Sequence, residues 1–310
     1  MRLTFEVIVL IVGFVMLVKG ADWFVDGASA IARRFGIPQM VIALTVVAMG
    51  TSAPEVAVGL SAAFRGNADI TIGSIVGSNI LNILIILGVS AVATDLDVAR
   101  STIRMEIPFM LAVTGGLLLL GTDGAVGAGN GIVLLLLFGG YLFYLYRMAK
   151  KGGEEPAEAV LDQPVKRCVG MTVVGLVLII WGSSITVNMA SDIAREFGMS
   201  ERLIALTIVS MGTSLPELFT SVNAALKGNA DIAIGNIVGS NIFNILFIVG
   251  LSSLVVPVPF ADLFIMDTLV AMAAAVLLAG SCMRKGKLGI RNGVAMLFVY
   301  GMYLGWLLMK

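Results

Sequence analysis

The apolar positions of this chain neither alternate nor recur with a helical period; they run on. Val7–Val18, Ile107–Leu120, Gly131–Tyr146, Met171–Ile185, Leu269–Gly280 and Val294–Leu308 contain no charged residue. A helix that is apolar all round is either buried on every side or faces lipid. Polar punctuation between such runs places helices near 5–28, 39–64, 70–94, 105–120 and 129–146. A second set falls near 168–192, 201–225, 232–255, 264–282 and 290–309. An all-α integral membrane protein of ten transmembrane helices is therefore expected. Arg2 ahead of an apolar run resembles an export signal. No small-residue cleavage site follows, and Lys19 and Asp22 close the run, so it reads as the first retained helix.

A repeat lies over this pattern. The stretch from Thr45 to Ser90 aligns without a gap to that from Thr207 to Ser252, with roughly 29 of 46 positions identical. Ala28–Gly36 matches Ala190–Gly198 more weakly. The expected organisation is a five-helix repeat over 1–146, a linker over 147–167 and a second five-helix repeat over 168–310. The linker's Gly-Gly pair, its prolines and its mixed charge fit a solvated segment. An odd number of spans sends the second copy into the membrane from the opposite face, so the two repeats should be inverted about an axis in the membrane plane. That arrangement puts about five Lys and Arg on the side of the N-terminus and about fourteen on the other. Both termini are then extracytoplasmic, the linker is cytoplasmic, and the location is the cell membrane.

Composition narrows the function. Hydrophobic residues make up 58% of the chain and charged ones 13%, too little polar surface for a soluble fold. A net charge of zero gives no pull towards nucleic acid, and none is expected as a partner. The absence of histidine excludes His-ligated zinc, a His proton relay and a Ser-His-Asp hydrolase. No GxGD pair, HExxH or GxSxG constellation is present, so no enzyme and no cofactor are expected. Cys168 and Cys282 stand alone in apolar segments, as small buried hydrophobes do.

The chemistry concentrates in the repeat. Gly50-Thr51-Ser52-Ala53-Pro54-Glu55 recurs as Gly212-Thr213-Ser214-Leu215-Pro216-Glu217 inside the second span of each half. Proline removes an amide donor and clashes with the carbonyl four residues back, which frees carbonyls around Gly50 and Thr51 and around Gly212 and Thr213. Open backbone at membrane depth is tolerated where it is buried or lines a wet cavity. A carboxylate there calls for a cation or a proton. Freed carbonyls, hydroxyls and carboxylates form an all-oxygen set suited to hard cations such as Ca2+ or Na+. The third spans add Ser78 with Asn82, and Ser240 with Asn244, each pair four apart on one helix face. No other acidic pair is expected inside the spans. Gly73, Gly77, Gly235 and Gly239 fit close helix packing. Asn67, Asp69, Asn229 and Asp231 fit helix caps. Asp22 and Asp26 fit either an inner access route or a Lys19–Asp22 pair.

GTSAPE with GSIVGSNILN, and GTSLPE with GNIVGSNIFN, resemble the paired alpha-repeat motifs of the calcium/cation antiporter superfamily, and among its branches the prokaryotic sodium/calcium exchangers. The resemblance covers essentially the whole chain. It implies a Na+/Ca2+ antiporter working by alternating access, with the first and sixth helices moving against a fixed core. By motif position, Glu55 and Glu217 match the calcium-coordinating carboxylates, with the carbonyls of Thr51 and Thr213 as further ligands. Ser52, Ser214, Ser78 and Ser240, with backbone oxygens of Ala48 and Ser210, match sodium ligands. Asn82 and Asn244 match the central amides. Some relatives, potassium-dependent exchangers among them, carry Asp where this chain has Asn244. Ca2+ and Na+ are then substrates, the bilayer is the only other partner, and a monomer suffices. The residues themselves leave open a proton/calcium or other divalent-cation exchanger using the same Glu pair, or a passive cation channel.

Overall fold

The computed structural model describes residues 2–64, 69–150, 164–198, 210–283 and 286–309. In the first half, helix α1 (Arg2–Arg34) is followed by α2 (Gln39–Thr51) and α3 (Ala53–Phe64), which meet at a 50° bend, and by α4 (Thr71–Ala93). Then come β1 (Leu96–Asp97), α5 (Thr102–Gly121), β2 (Ala125–Val126) and α6 (Ala128–Lys150). The second half holds α7 (Val165–Glu196), α8 (Ser210–Thr213), α9 (Leu215–Leu226), α10 (Ala230–Val255) and β3 (Val258–Pro259). It ends with α11 (Asp262–Met283), β4 (Lys287–Leu288) and α12 (Ile290–Leu308). Among the described residues, seven helices are long and apolar enough to cross a membrane, and the bent α2–α3 pair makes an eighth span if counted as one. Arg65, Asn67, residues 151–163 of the expected linker and residues 201–209 of an expected span lie outside the described residues.

Burial separates centre from periphery. The apolar windows of α4 and α10 are 78% and 94% buried, whereas those of α1 and α7 are 22% and 33% buried. Small residues let the neighbours of α10 come close. A β-carbon at Gly235 would lie 2.6 Å from Ala43 Cβ, and one at Gly239 would lie 2.8 Å from Ala48 Cβ. This is the close packing expected of Gly235 and Gly239; in the first copy the expectation fails at Gly77, where a β-carbon would meet nothing within 4 Å, and Gly73 faces the Phe264 ring at 3.3 Å and no backbone.

A second close approach was not anticipated. Helices α1 and α7 run antiparallel along a seam of small residues two turns apart. A β-carbon at Gly20 would lie 2.9 Å from the Gly175 carbonyl oxygen, and one at Gly175 would lie 2.7 Å from the Gly20 carbonyl oxygen. Gly13 and Gly182 repeat the arrangement at 3.2 and 2.9 Å, and a β-carbon at Gly27 would lie 2.8 Å from the Cys168 carbonyl. Seven-residue spacing keeps each of these positions on one face, so the two backbones touch along most of their length. Both helices also continue past their expected ends, to Arg34 and Glu196, because their last turns are polar and solvated.

Two antiparallel ribbons tie the halves together outside the helices: Leu96 pairs with Leu288 and Asp97 with Lys287, Ala125 with Pro259 and Val126 with Val258. The hydrogen bond from Lys287 to Asp97, 3.0 Å apart, holds the lysine above its ordinary pKa range. Two expectations for charged and polar residues give way. Asp22 and Asp26 pair with Lys227, just past α9, at 2.5 and 2.6 Å, and Asp22 is not reserved for Lys19. Asn229 stands at the N-cap position of α10 without a side-chain cap; its amide faces Ser29 at 3.5 Å.

Candidate cation site

Each Pro-Glu motif breaks its helix as the proline requires. The Ser52 amide bonds the Ala48 carbonyl at 3.1 Å and the next ladder starts with the Val56 amide on the Ser52 carbonyl at 3.1 Å. The carbonyls of Gly50 and Thr51 fall between the two ladders. In the second copy the Leu218 amide bonds the Ser214 carbonyl at 3.0 Å, and the Gly212 carbonyl accepts the Ser183 hydroxyl of α7 at 2.6 Å. Glu55 and Glu217 then occupy the first turns of α3 and α9, both about 1% exposed. A helix N-terminus is a favourable place for a carboxylate.

The hydroxyls cross between the copies. Ser52 Oγ lies 2.8 Å from Glu217 Oε1 and 3.0 Å from Ser240 Oγ. Thr51 also reaches Glu217. On the other side Ser78 Oγ lies 3.5 Å from Glu55 Oε1, Ser214 donates to Ser78 at 3.4 Å, and Thr213 reaches Glu55. Ser240 also faces the Ala48 carbonyl at 3.3 Å. The sequence-predicted residues Ala48, Thr51, Ser52, Glu55, Ser78, Asn82, Thr213, Ser214, Glu217, Ser240 and Asn244 are thus brought into one buried region. Ser210 begins α8, and its side chain lies outside the description.

At the centre sits a reciprocal amide lock. Asn79 Nδ2 donates to the Asn241 carbonyl and Asn241 Nδ2 to the Asn79 carbonyl, each at 3.2 Å. Their side-chain oxygens take the amide hydrogens of the flanking residues: Asn82 Nδ2 to Asn241 Oδ1 at 2.9 Å, and Asn244 Nδ2 to Asn79 Oδ1 at 3.0 Å. With its nitrogen committed, each flanking amide presents oxygen alone. Asn82 Oδ1, Asn244 Oδ1, Glu55 Oε2 and Glu217 Oε2 are all buried and without a hydrogen-bond partner. Such orphaned acceptors are costly in a protein interior, and oxygens of this kind are ligands for a hard cation. A π-helical segment starts at each of these asparagines, Asn82–Leu87 and Asn244–Val249, which turns the amides out of the regular ladder.

Comparison with known proteins agrees with this geometry. The profile of the family described as "Sodium/calcium exchanger protein" matches residues 5–147 and 168–309. The chain belongs to this family. The inner membrane protein YrbG of Escherichia coli is 36% identical over 312 residues, 97% of this chain and 95% of its own. The sodium/calcium exchanger MaX1 of Methanosarcina acetivorans is 30% identical over 88% of this chain and 89% of its own. The solved structure of the sodium-calcium exchanger NCX_Mj, soaked with 2.5 mM Na+ and 10 mM Sr2+, superimposes with a TM-score of 0.87 at 30% identity, covering 98% of this chain and 99% of that one. Membership in this family of transporters also fits the membrane-spanning helices described above.

Three features, two at this site and one away from it, were not read from the sequence. Asn79 and Asn241 stand three residues before Asn82 and Asn244, a spacing that already put them on the same helix face. Asn236 accepts the Thr51 hydroxyl at 3.0 Å and donates to Ser221 at 2.9 Å. Its repeat counterpart is Ser74, and that of Ser221 is Gly59, so the second copy carries a polar link that the first lacks. The expectation that no other acidic pair lies within the spans is wrong. Glu106 in α5 and Asp267 in α11 are buried too, each accepting a tyrosine hydroxyl.

A cavity of about 270 Å3 between α7 and the broken helices is lined by Pro54, Ser183, Ser184, Asn188, Gly212 and Thr213. It leads to the Thr213 hydroxyl that serves Glu55. The opposite end of α1 is held by Lys227.

Proposed function

We propose that this protein exchanges Na+ for Ca2+ by alternating access at the oxygen cluster around Glu55 and Glu217. The carrying observation is the set of four buried oxygens without partners, two from each copy: Glu55, Asn82, Glu217 and Asn244. Among the described residues, no group of three or more Asp, Glu, His or Cys side chains gathers anywhere. A cation here relies on two carboxylates and neutral oxygens. One Ca2+ neutralises both charges, and Na+ ions bound in turn do the same. The empty cluster would carry two bare charges through low dielectric, which penalises crossing unloaded and favours obligatory exchange.

In this reading residues 1–146 and 168–310 form inverted five-helix repeats, ten spans in all, joined by a cytoplasmic linker over 147–167. The antiparallel meeting of α1 with α7, its counterpart, supports the inversion. Both termini lie outside the cytoplasm, so the cavity beside Ser183 opens outward. Thr51, Thr213, Ala48 and Ser210 contribute carbonyl oxygens, and Ser52, Ser78, Ser214 and Ser240 flank them as sodium ligands. The deciding experiment is ⁴⁵Ca2+ uptake into Na+-loaded proteoliposomes. Replacing internal Na+ by choline should abolish uptake. Uptake driven by a pH gradient without Na+ would instead make it a proton/calcium exchanger, and uptake with neither would make it a channel.

A further inference from the structure

Away from the cation site, α5 and α6 enclose a groove that opens towards lipid. Its volume is about 340 Å3, and it is lined by Met105, Glu106, Phe109, Leu136, Leu137, Gly140, Tyr141 and Tyr144. That is the small end of the range for ligand pockets, roughly 300–1,000 Å3. One end is polar. Glu106 is 1% exposed; its Oε1 accepts the Tyr144 hydroxyl at 2.8 Å, while its Oε2 has no partner. The hydroxyl of Tyr141, 5% exposed, also has none. Around the carboxylate the rings form a partial box: Phe109 stacks on Tyr141 with centroids 5.2 Å apart, and Tyr141 lies 6.4 Å from Tyr144. The other end is wholly apolar. Leu136 and Leu137 lie two turns from Tyr144, about 12 Å along the helix at 1.5 Å per residue.

We propose that this groove is a binding site for a small lipophilic amine, its ammonium group seated on Glu106 among the three aromatic rings and its apolar chain lying along Leu136, Leu137 and Gly140. A carboxylate with one free oxygen needs a donor, and aromatic faces attract a cation, so both features of the polar end select an ammonium group. An alcohol satisfies only the hydrogen bond, and a carboxylic acid brings like charge. The polar end is one turn or less from Arg104, whose side chain is exposed, and charged side chains of a spanning helix lie towards its ends. An amine partitioned into the bilayer carries its charge at this same level. The groove's volume suits a single short chain and not a whole phospholipid.

The test uses the full-length protein in lipid nanodiscs and three diazirine photoprobes, decylamine, decanol and decanoic acid, at equal concentration. Peptide mass spectrometry locates the modified residues. Decylamine should label the α5 and α6 segments that carry Phe109 and Leu136–Gly140, at about ten times or more the yield of decanol. Glu106→Gln keeps the acceptor for Tyr144 and removes the charge; it should bring decylamine down to the decanol level. Gly140→Leu fills the apolar end without touching the carboxylate and should exclude both. Equal labelling by decylamine and decanol, or undiminished decylamine labelling of Glu106→Gln, overturns the proposal. If Glu106→Gln does not elute as a monodisperse protein, the amine-to-alcohol ratio in the parent and the Gly140→Leu result decide it.

Discussion

The α4–α10 centre and the α1–α7 pair are both places where counterpart helices from the two copies meet, yet they meet by opposite means. In the centre, side chains do the joining: Asn79 and Asn241 exchange hydrogen bonds and hold Asn82 and Asn244 between them. At the periphery Gly13, Gly20 and Gly27 bring backbone against backbone, with the Thr172 and Thr186 hydroxyls beside them. The pair meets the rest of the molecule through Ser183 on the Gly212 carbonyl, Phe14 near Phe219 and Lys227 on Asp22 and Asp26, and through Leu17, Phe24 and Val25 in the common core. One contact fixes a geometry against distortion. In the alternating-access reading proposed above, the other would let two helices move as one body against the rest. Changes at the centre should therefore alter affinity, and changes at the seam should alter rate.

The largest effect belongs to the carboxylates. Glu55→Gln and Glu217→Gln should each reduce Na+-driven ⁴⁵Ca2+ uptake to background while the protein still inserts and elutes normally; substantial exchange in either variant removes these residues from the site. Next comes the amide lock. Asn79→Ala leaves the Asn244 amide without its acceptor, a loss of about 1–3 kcal/mol. The KM for Ca2+ should rise about tenfold, and Asn241→Ala should match it through Asn82. Gly175→Leu tests the other contact. Overpacking against Phe24 and the Gly20 carbonyl costs about 1–3 kcal/mol, so thermal stability and turnover should fall severalfold with Ca2+ affinity unchanged. A shift in affinity instead would erase the contrast between the regions. Lys227→Met is milder, since exposed ion pairs are worth about 0.2–1 kcal/mol. Solvent access to a cysteine near the inner end of α1 should rise about twofold. The smallest expected effect is none: replacing K+ by choline on both faces, at fixed Na+ gradient and voltage, should leave Ca2+ flux unchanged. Asn244 adds an oxygen without the charge that a further monovalent ion needs.

The chain announces the centre more plainly than the periphery. Proline next to glutamate, twice, in uncharged surroundings allows few structural readings, and the broken helices at Ser52 and Ser214 follow from it. Asn79 was legible in principle, because it shares a face with Asn82, but spacing alone does not say which asparagine points at an ion and which at the opposite helix. The seam glycines carry no such chemistry. Glycine is common in membrane helices, and the seven-residue interval in α1 gains meaning only once Gly175 and Gly182 are seen to lie opposite it. Glu106 was missed for a related reason. A carboxylate near the end of an apolar run reads as its polar boundary until a tyrosine from another helix is found on it.

The amide lock also sets a schedule for biosynthesis. Asn79 and Asn241 are 162 residues apart, and at roughly 5–20 residues per second a ribosome needs about 8–30 s to travel from one to the other. Through that interval the newborn first half holds Glu55 and its asparagines in or near the bilayer with no second half to receive them, and β1 waits longer still for β4. Completion of the fold is thus a late, long-range event. Half of this molecule cannot assemble the centre by itself, so a ribosome that stalls between the copies leaves behind a membrane protein with its most polar residues unmatched, a natural substrate for quality control.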